Sequence, residues 1–114
     1  MNRNFRLTQS TDFKRVRRSG KSYAHPLLVL VVLPAEGEVT RFGIAAGKSI
    51  GKAVQRNRVK RLMREALRPL ITEIKPGWKV LLIARNPIVD AKLTEIQTCL
   101  FQLITRANLF IDNK

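Results

Sequence analysis

The chain has 114 residues, with 22 Lys and Arg against 8 Asp and Glu and a formal charge of +14. That length holds one hydrophobic core, so residues 1–114 are read as a single domain. A hydrophobic fraction of 45% excludes a disordered basic tail, and the longest apolar run, seven residues from Leu27 to Leu33, is far short of the ~20 a membrane-crossing helix needs.

The first predicted element in chain order is a helix from Ser10 to Ser19. Ser10 suits its N-cap, Asp12 its first turn, and Gly20 a stop after Arg17 and Arg18. Phe13 and Val16 give it a thin apolar stripe. Leu27 to Leu33 is rich in Val and Leu without alternation, the pattern of a strand buried on both faces. A turn over Pro34 to Glu38 contains Gly37, and a second strand follows over about Val39 to Ala46.

Residues 52–68 form the clearest helix, which Pro69 should end or kink. At about 100° per residue, Val59, Leu62, Met63, Ala66 and Leu67 fall within an arc of roughly 140°. Leu70 extends that stripe if the helix survives the proline. Asn57, Arg58, Lys60, Arg61, Arg64 and Arg68 take the opposite side, with Arg56 just inside the apolar border. Pro76-Gly77 turns the chain into a third strand, Trp78 to Ala84, which Asn86-Pro87 breaks. A last helix, about Asp90 to Ala107, carries Leu93, Ile96, Leu100, Leu103 and Ile104 at helical spacing. The order α-β-β-α-β-α predicts an α/β (α+β) two-layer sandwich, a small central sheet with helices.

The charge is concentrated. Residues 1–21 hold seven cations and one acid, residues 48–68 hold eight cations and one acid, and together they account for +13 of the +14. A surface made for phosphates is expected from such clustering, rather than a solvated face without a partner. The basic N-terminus has no apolar stretch like that of a signal peptide. A lone Cys99 forms neither an internal disulfide nor a Cys-rich metal site, so a cytoplasmic protein is expected.

Catalytic motifs are weak. Gly43-Ile-Ala-Ala-Gly47-Lys48-Ser49 resembles a phosphate loop but is one residue short, because position 42 is Phe42. Such a loop wraps backbone amides around phosphate, so a missing residue changes its geometry. The acids are scattered, which argues against a metal-dependent nuclease. His25 before Pro26 reads as a loop residue and Cys99 as core. No catalytic or metal-binding residue is assigned.

The strong signal is the run from Lys48 through Gly51 and Lys52 to Arg56, Asn57, Arg58, Lys60, Arg61, Arg64 and Arg68. Cations at 52, 56, 60, 64 and 68 recur every four residues, a winding ridge that can bond successive phosphates. Gly51 permits a tight turn into the helix, whose N-terminus attracts anions. An amphipathic helix lying on anionic lipid is the competing reading, opposed by the need for the aliphatic face to cover the strands.

Arg56-Asn57-Arg58-x-Lys60-Arg61-x-x-Arg64, preceded by Lys48 and Gly51, resembles the RNR signature of the bacterial ribonuclease P protein subunit. Arg6-Leu7, Asp12-Phe13, Val16 and Gly20 resemble that family's opening, and the similarity covers nearly the whole chain. The resemblance implies a ribosomal protein S5 domain 2-like fold with a left-handed βαβ crossover, against the usual right-handed preference. It also implies an RNA-binding accessory subunit of the enzyme that removes the 5′ leader from precursor tRNA. The chemistry then belongs to the catalytic RNA and its magnesium, with one protein per RNA. Carried over, Lys48, Lys52, Arg56, Asn57, Arg58, Lys60, Arg61, Arg64 and Arg68 are candidates for the RNA subunit, and Arg6, Phe13, Arg17 and Val31 for the single-stranded leader. Phe13 stacks on a base or plugs the core beneath the first helix. Where the family often has aromatics this chain has Arg17 and Val31, and Ser49 stands where a second lysine commonly follows Lys48. A cleft relying more on charge than on stacking is expected. A ribosomal or general RNA-binding protein is the alternative, and a protein-only nuclease a third reading.

Overall fold

The computed structural model describes residues 6–7, 10–37 and 39–111. The elements are α1 (Ser10–Ser19), β1 (Lys21–Ala24), β2 (Leu28–Pro34), β3 (Arg41–Ala45), α2 (Ala53–Leu67), β4 (Trp78–Ala84) and α3 (Leu93–Arg106). Short 3-10 turns occupy Lys48–Ile50, Arg68–Glu73 and Asn86–Asp90. The expected order holds with one strand added, β1, whose Lys-Ser-Tyr-Ala sequence has no apolar run to announce it. Its register, Lys21 opposite Val32 through Ala24 opposite Val29, comes from the partner strand. Ser10 opens α1, and its side chain, the expected N-cap, lies outside what is described.

Local chemistry sets the helix boundaries. Lys52 holds an extended backbone before α2, and its N–H donates to Gln55 Oε1 at 3.3 Å. Pro69 ends α2 as expected, and the chain tightens into the 3-10 turn that follows Leu67. The last helix begins at Leu93 rather than near Asp90. Pro87 seeds a 3-10 turn, Ala91 and Lys92 are extended, and the Lys92 N–H donates to Glu95 Oε1 at 2.9 Å.

The strands form one sheet in the order β1-β2-β4-β3, antiparallel except for the parallel pair β3 and β4. α2 makes the crossover between those parallel strands. Alternation along the strands divides the core in two. Leu28, Leu30, Val32, Phe42, Val80 and Leu82 turn to the face covered by α2 and α3, where they meet Val59, Met63, Ala66, Leu67, Ile96, Leu100 and Leu103. The other face presents Val31 and Leu81 to α1, and with Leu7 and Val16 they make a second, smaller core. α2 and α1 therefore lie on opposite faces of one sheet.

Two glycines let α1 approach closely. A Cβ on Gly20 would meet the Val16 carbonyl at 2.6 Å and Val31 Cγ1 at 2.7 Å. One on Gly43 would meet Phe13 Cε1 and Cζ at 2.8 Å. Thr40, a buried polar residue, donates from Oγ1 to the Lys75 carbonyl and accepts from the Trp78 N–H, joining the start of β3 to the turn before β4.

Candidate nucleic-acid interface

The basic ridge begins in the loop after β3. Ile50 is buried and anchors the 3-10 turn, which leaves Lys48 exposed. Gly51 follows at φ 142°, a conformation that L side chains rarely adopt. Along α2, Val59, Met63, Ala66 and Leu67 are buried and Leu62 is half-buried, the stripe expected from the sequence. Arg56, Lys60 and Arg64 border it, half-buried, so their apolar stems line the core edge while their charged ends reach solvent. Lys52, Asn57, Arg58 and Arg61 are exposed.

Among the described residues, no side-chain hydrogen bond or ion pair engages Arg56, Arg58, Lys60, Arg61 or Arg64. Five cations on one helix therefore carry no internal counter-charge. Arg68 differs, because its guanidinium meets Glu65, the one acid of α2, at 3.2 Å. Val54 interrupts the exposed side: it is 80% exposed and shares a helix face with Arg58 and Arg61. Sequence reading passed over it because a single valine at a helix start carries no periodic signal.

The leader candidates gather around α1 on the other face. Arg6 is exposed and bridges to Phe42, and the Leu7 N–H donates to the Phe42 carbonyl at 2.8 Å, so this short segment lines the open edge of β3. Phe13 is half-buried: its ring packs over Gly43 beside Leu7 and keeps an exposed side. Arg17 is exposed one turn later on the same flank. Val31 is 2% exposed and lies beneath α1, so it forms the floor. Strand pairing places Val29, Ile83 and Ala45, all half-buried, on this same face beyond α1. Together these residues shape an apolar trough with a cationic rim.

The opposite flank of α1 borders a cavity of about 630 Å³ lined by Arg15, Leu33, Glu36 and Lys79, a mixture of charges unlike the Phe13 side. Two further arginines are structural where the sequence offered no sign of it. Arg85 donates to the His25 carbonyl at 3.3 Å and Arg106 to the Ala24 carbonyl at 2.8 Å, fastening the connector between β1 and β2. His25 is a loop residue as read, its Nδ1 accepting from the Leu27 N–H at 3.1 Å.

Cys99 is buried, and that burial pushes its thiol pKa up to about 11. Among the described residues no three His, Cys, Asp or Glu side chains cluster to hold a metal ion. Among those residues, no helix is long and apolar enough to cross a membrane.

The chain as a whole matches a known pattern of sequence and fold. The family model described as ribonuclease P matches residues 1–108. The chain belongs to the ribonuclease P protein family. The ribonuclease P protein component of Herpetosiphon aurantiacus is 44% identical over 114 residues, covering 100% of this chain and 93% of that protein. That of Clostridioides difficile is 40% identical and covers 96% of this chain and 97% of its own. Among solved structures, the Staphylococcus aureus RNase P protein superposes with a TM-score of 0.84 at 30% identity, covering 94% of this chain and 98% of that one. The Thermotoga maritima protein gives 0.79 at 26% identity, covering 95% and 98%. The four-stranded sheet with three helices is thus the fold of bacterial RNase P proteins. The chain is an accessory subunit of ribonuclease P in tRNA processing, a partner of the RNase P RNA and not itself the catalytic part.

Proposed function

We propose that the two basic surfaces serve two different RNAs. The exposed side of α2, with Lys48 and Lys52 before it, binds the RNA subunit through Arg56, Asn57, Arg58, Lys60, Arg61, Arg64 and Arg68. The trough beside α1 takes the single-stranded leader of precursor tRNA, with Phe13 stacking on an unpaired base and Arg6 and Arg17 meeting phosphates over a floor that includes Val31. One protein acts per RNA subunit, in the cytoplasm.

The observation that carries this reading is the placement of α1 and α2 on opposite faces of the sheet, each with its own cations. Two polyanions can then be held without sharing a face, and the positive charge between them lowers their mutual repulsion. Precursor tRNA gains the leader contact and mature tRNA does not, so the trough favours substrate over product.

The test uses the holoenzyme reconstituted with an RNase P RNA. Phe13→Ala is expected to weaken precursor binding by about tenfold, equivalent to ~1.4 kcal/mol of lost stacking, and to leave mature tRNA unchanged. Equal weakening for both RNAs would remove Phe13 from the leader site and return it to the core alone.

A further inference from the structure

Asp12 is the one acid in residues 1–21, among seven cations. Its place in the first turn of α1 suits the helix dipole. What singles it out is its partner. Asp12 Oδ1 accepts from Lys79 Nζ at 2.8 Å, across 67 residues of chain, and the two side chains are 28% and 22% exposed. Partial shielding makes such a pair stronger than one held in open solvent.

The remaining attachments of α1 to the sheet are apolar. Val16, the Gly20 contact and the Phe13 ring press the helix against the sheet, and these contacts are non-directional where an ion pair is a fixed point. Lys79 comes from β4 and opposes Leu33 and Arg41 in the sheet, so its ammonium grips α1 from one flank. Phe13 and Arg17 project from the other. With side-chain tips about 5–6 Å from the helix axis, a roll of roughly 20° carries a tip ~2 Å, enough to spoil a stacking contact.

We propose that the Asp12–Lys79 ion pair is a positioning device for substrate selection, holding α1 at the angle that presents Phe13 and Arg17 to the leader. The inference rests on the leader-trough reading above. The charged groups facing the pair are Arg15 and Glu36, which line the cavity beside Lys79, and Arg41, next to Lys79 in the sheet. The direct link between helix and strand is the 2.8 Å contact of Lys79 Nζ with Asp12 Oδ1.

Charge alone makes a different prediction. Asp12→Asn raises the net charge and Lys79→Met lowers it, so a purely electrostatic role would strengthen RNA binding in one variant and weaken it in the other. Positioning predicts that both variants lose preference for precursor over mature tRNA, by about threefold to tenfold. The charge-neutral exchange Asp12→Lys with Lys79→Asp re-forms the pair and is expected to recover most of the preference. Measurements use the reconstituted holoenzyme with both tRNAs, alongside thermal melts of each variant and Phe13→Ala in parallel. Preferences that follow net charge in opposite directions, or an exchange variant no better than the single changes in a folded protein, would overturn the proposal. If Phe13→Ala lowers the preference while Asp12→Asn and Lys79→Met do not, this inference alone fails. If Phe13→Ala also leaves it intact, the leader-trough reading fails with it.

Discussion

The side chain of Gln55 fills the space that any side chain on Gly51 would need. A Cβ built on Gly51 would lie 1.8 Å from Gln55 Oε1 and 2.8 Å from its Cδ. That Oε1 is the atom that accepts the Lys52 N–H, so one contact closes the loop after β3 and starts α2. Gly51→Ala therefore meets a steric clash as well as a strained φ of 142°. The expected cost is about 2–4 kcal/mol, read from denaturant unfolding, with weaker RNA-subunit binding because Lys48 and Lys52 shift. Adding Gln55→Ala removes the clash but also the acceptor of the Lys52 N–H. The double variant should therefore be no more stable than Gly51→Ala, in which the exposed Gln55 side chain can swing aside.

The trough side has a corresponding test at Gly43. An added methyl would press on the Phe13 ring at 2.8 Å and on Leu7 Cδ1 at 3.1 Å. Gly43→Ala should displace the ring and destabilise the fold by about 1–3 kcal/mol. Precursor binding should fall while affinity for the RNA subunit holds, since α2 packs on the other face. Binding titrations with each RNA separately check that separation.

On α2 the prediction concerns salt. Arg64→Ala should weaken RNA-subunit binding and flatten the dependence of log K on log salt by about 0.7–0.9, one phosphate contact. Arg68 is already engaged by Glu65 at 3.2 Å, so Arg68→Ala should change the slope less. Glu65→Gln removes the acid of α2 and releases that arginine. Tighter RNA-subunit binding with a steeper salt slope is the expected result, and filter binding across a salt series measures it.

Burial of Cys99 makes a pH prediction. Its folded pKa, about 11, lies above the unfolded value of 9.0, because desolvation opposes the thiolate. The unfolded chain therefore gives up its proton first as pH rises. The stability owed to this group is whole below pH 9.0 and is lost as pH climbs towards 11. Melts between pH 8 and 11 should show a smaller decline for Cys99→Ala than for the parent chain. In the folded protein at pH 8, thiol reagents should react slowly.

Much of this architecture was legible from periodicity. The stripe of α2, with Val59, Met63, Ala66 and Leu67, needed only helical spacing, and β4 was bounded by Pro76-Gly77 and Asn86-Pro87. β1 was not legible, because its half-buried Tyr23 and exposed neighbours acquire meaning only beside β2. The start of α3 was misplaced by three residues because a proline that ends a strand also began a 3-10 turn. At the site, the cations could be counted from sequence, but their separation onto two faces could not. That separation depends on strand order. Val31 was named for its position in the motif pattern, and only tertiary packing shows that α1 covers it.

Strand β2 also explains how two binding surfaces in so small a protein can be adjusted independently. Its odd-numbered residues Val29, Val31 and Leu33 face α1, and its even-numbered residues Leu28, Leu30 and Val32 face α2 and α3. Parity along a single strand decides which surface feels a substitution. A change of volume at Val31 alters the seat of α1, whereas the same change at Leu30 alters the bed of the helices behind. The two surfaces share a backbone and scarcely share a side chain, so sequence change can reshape one of them while the other keeps its form.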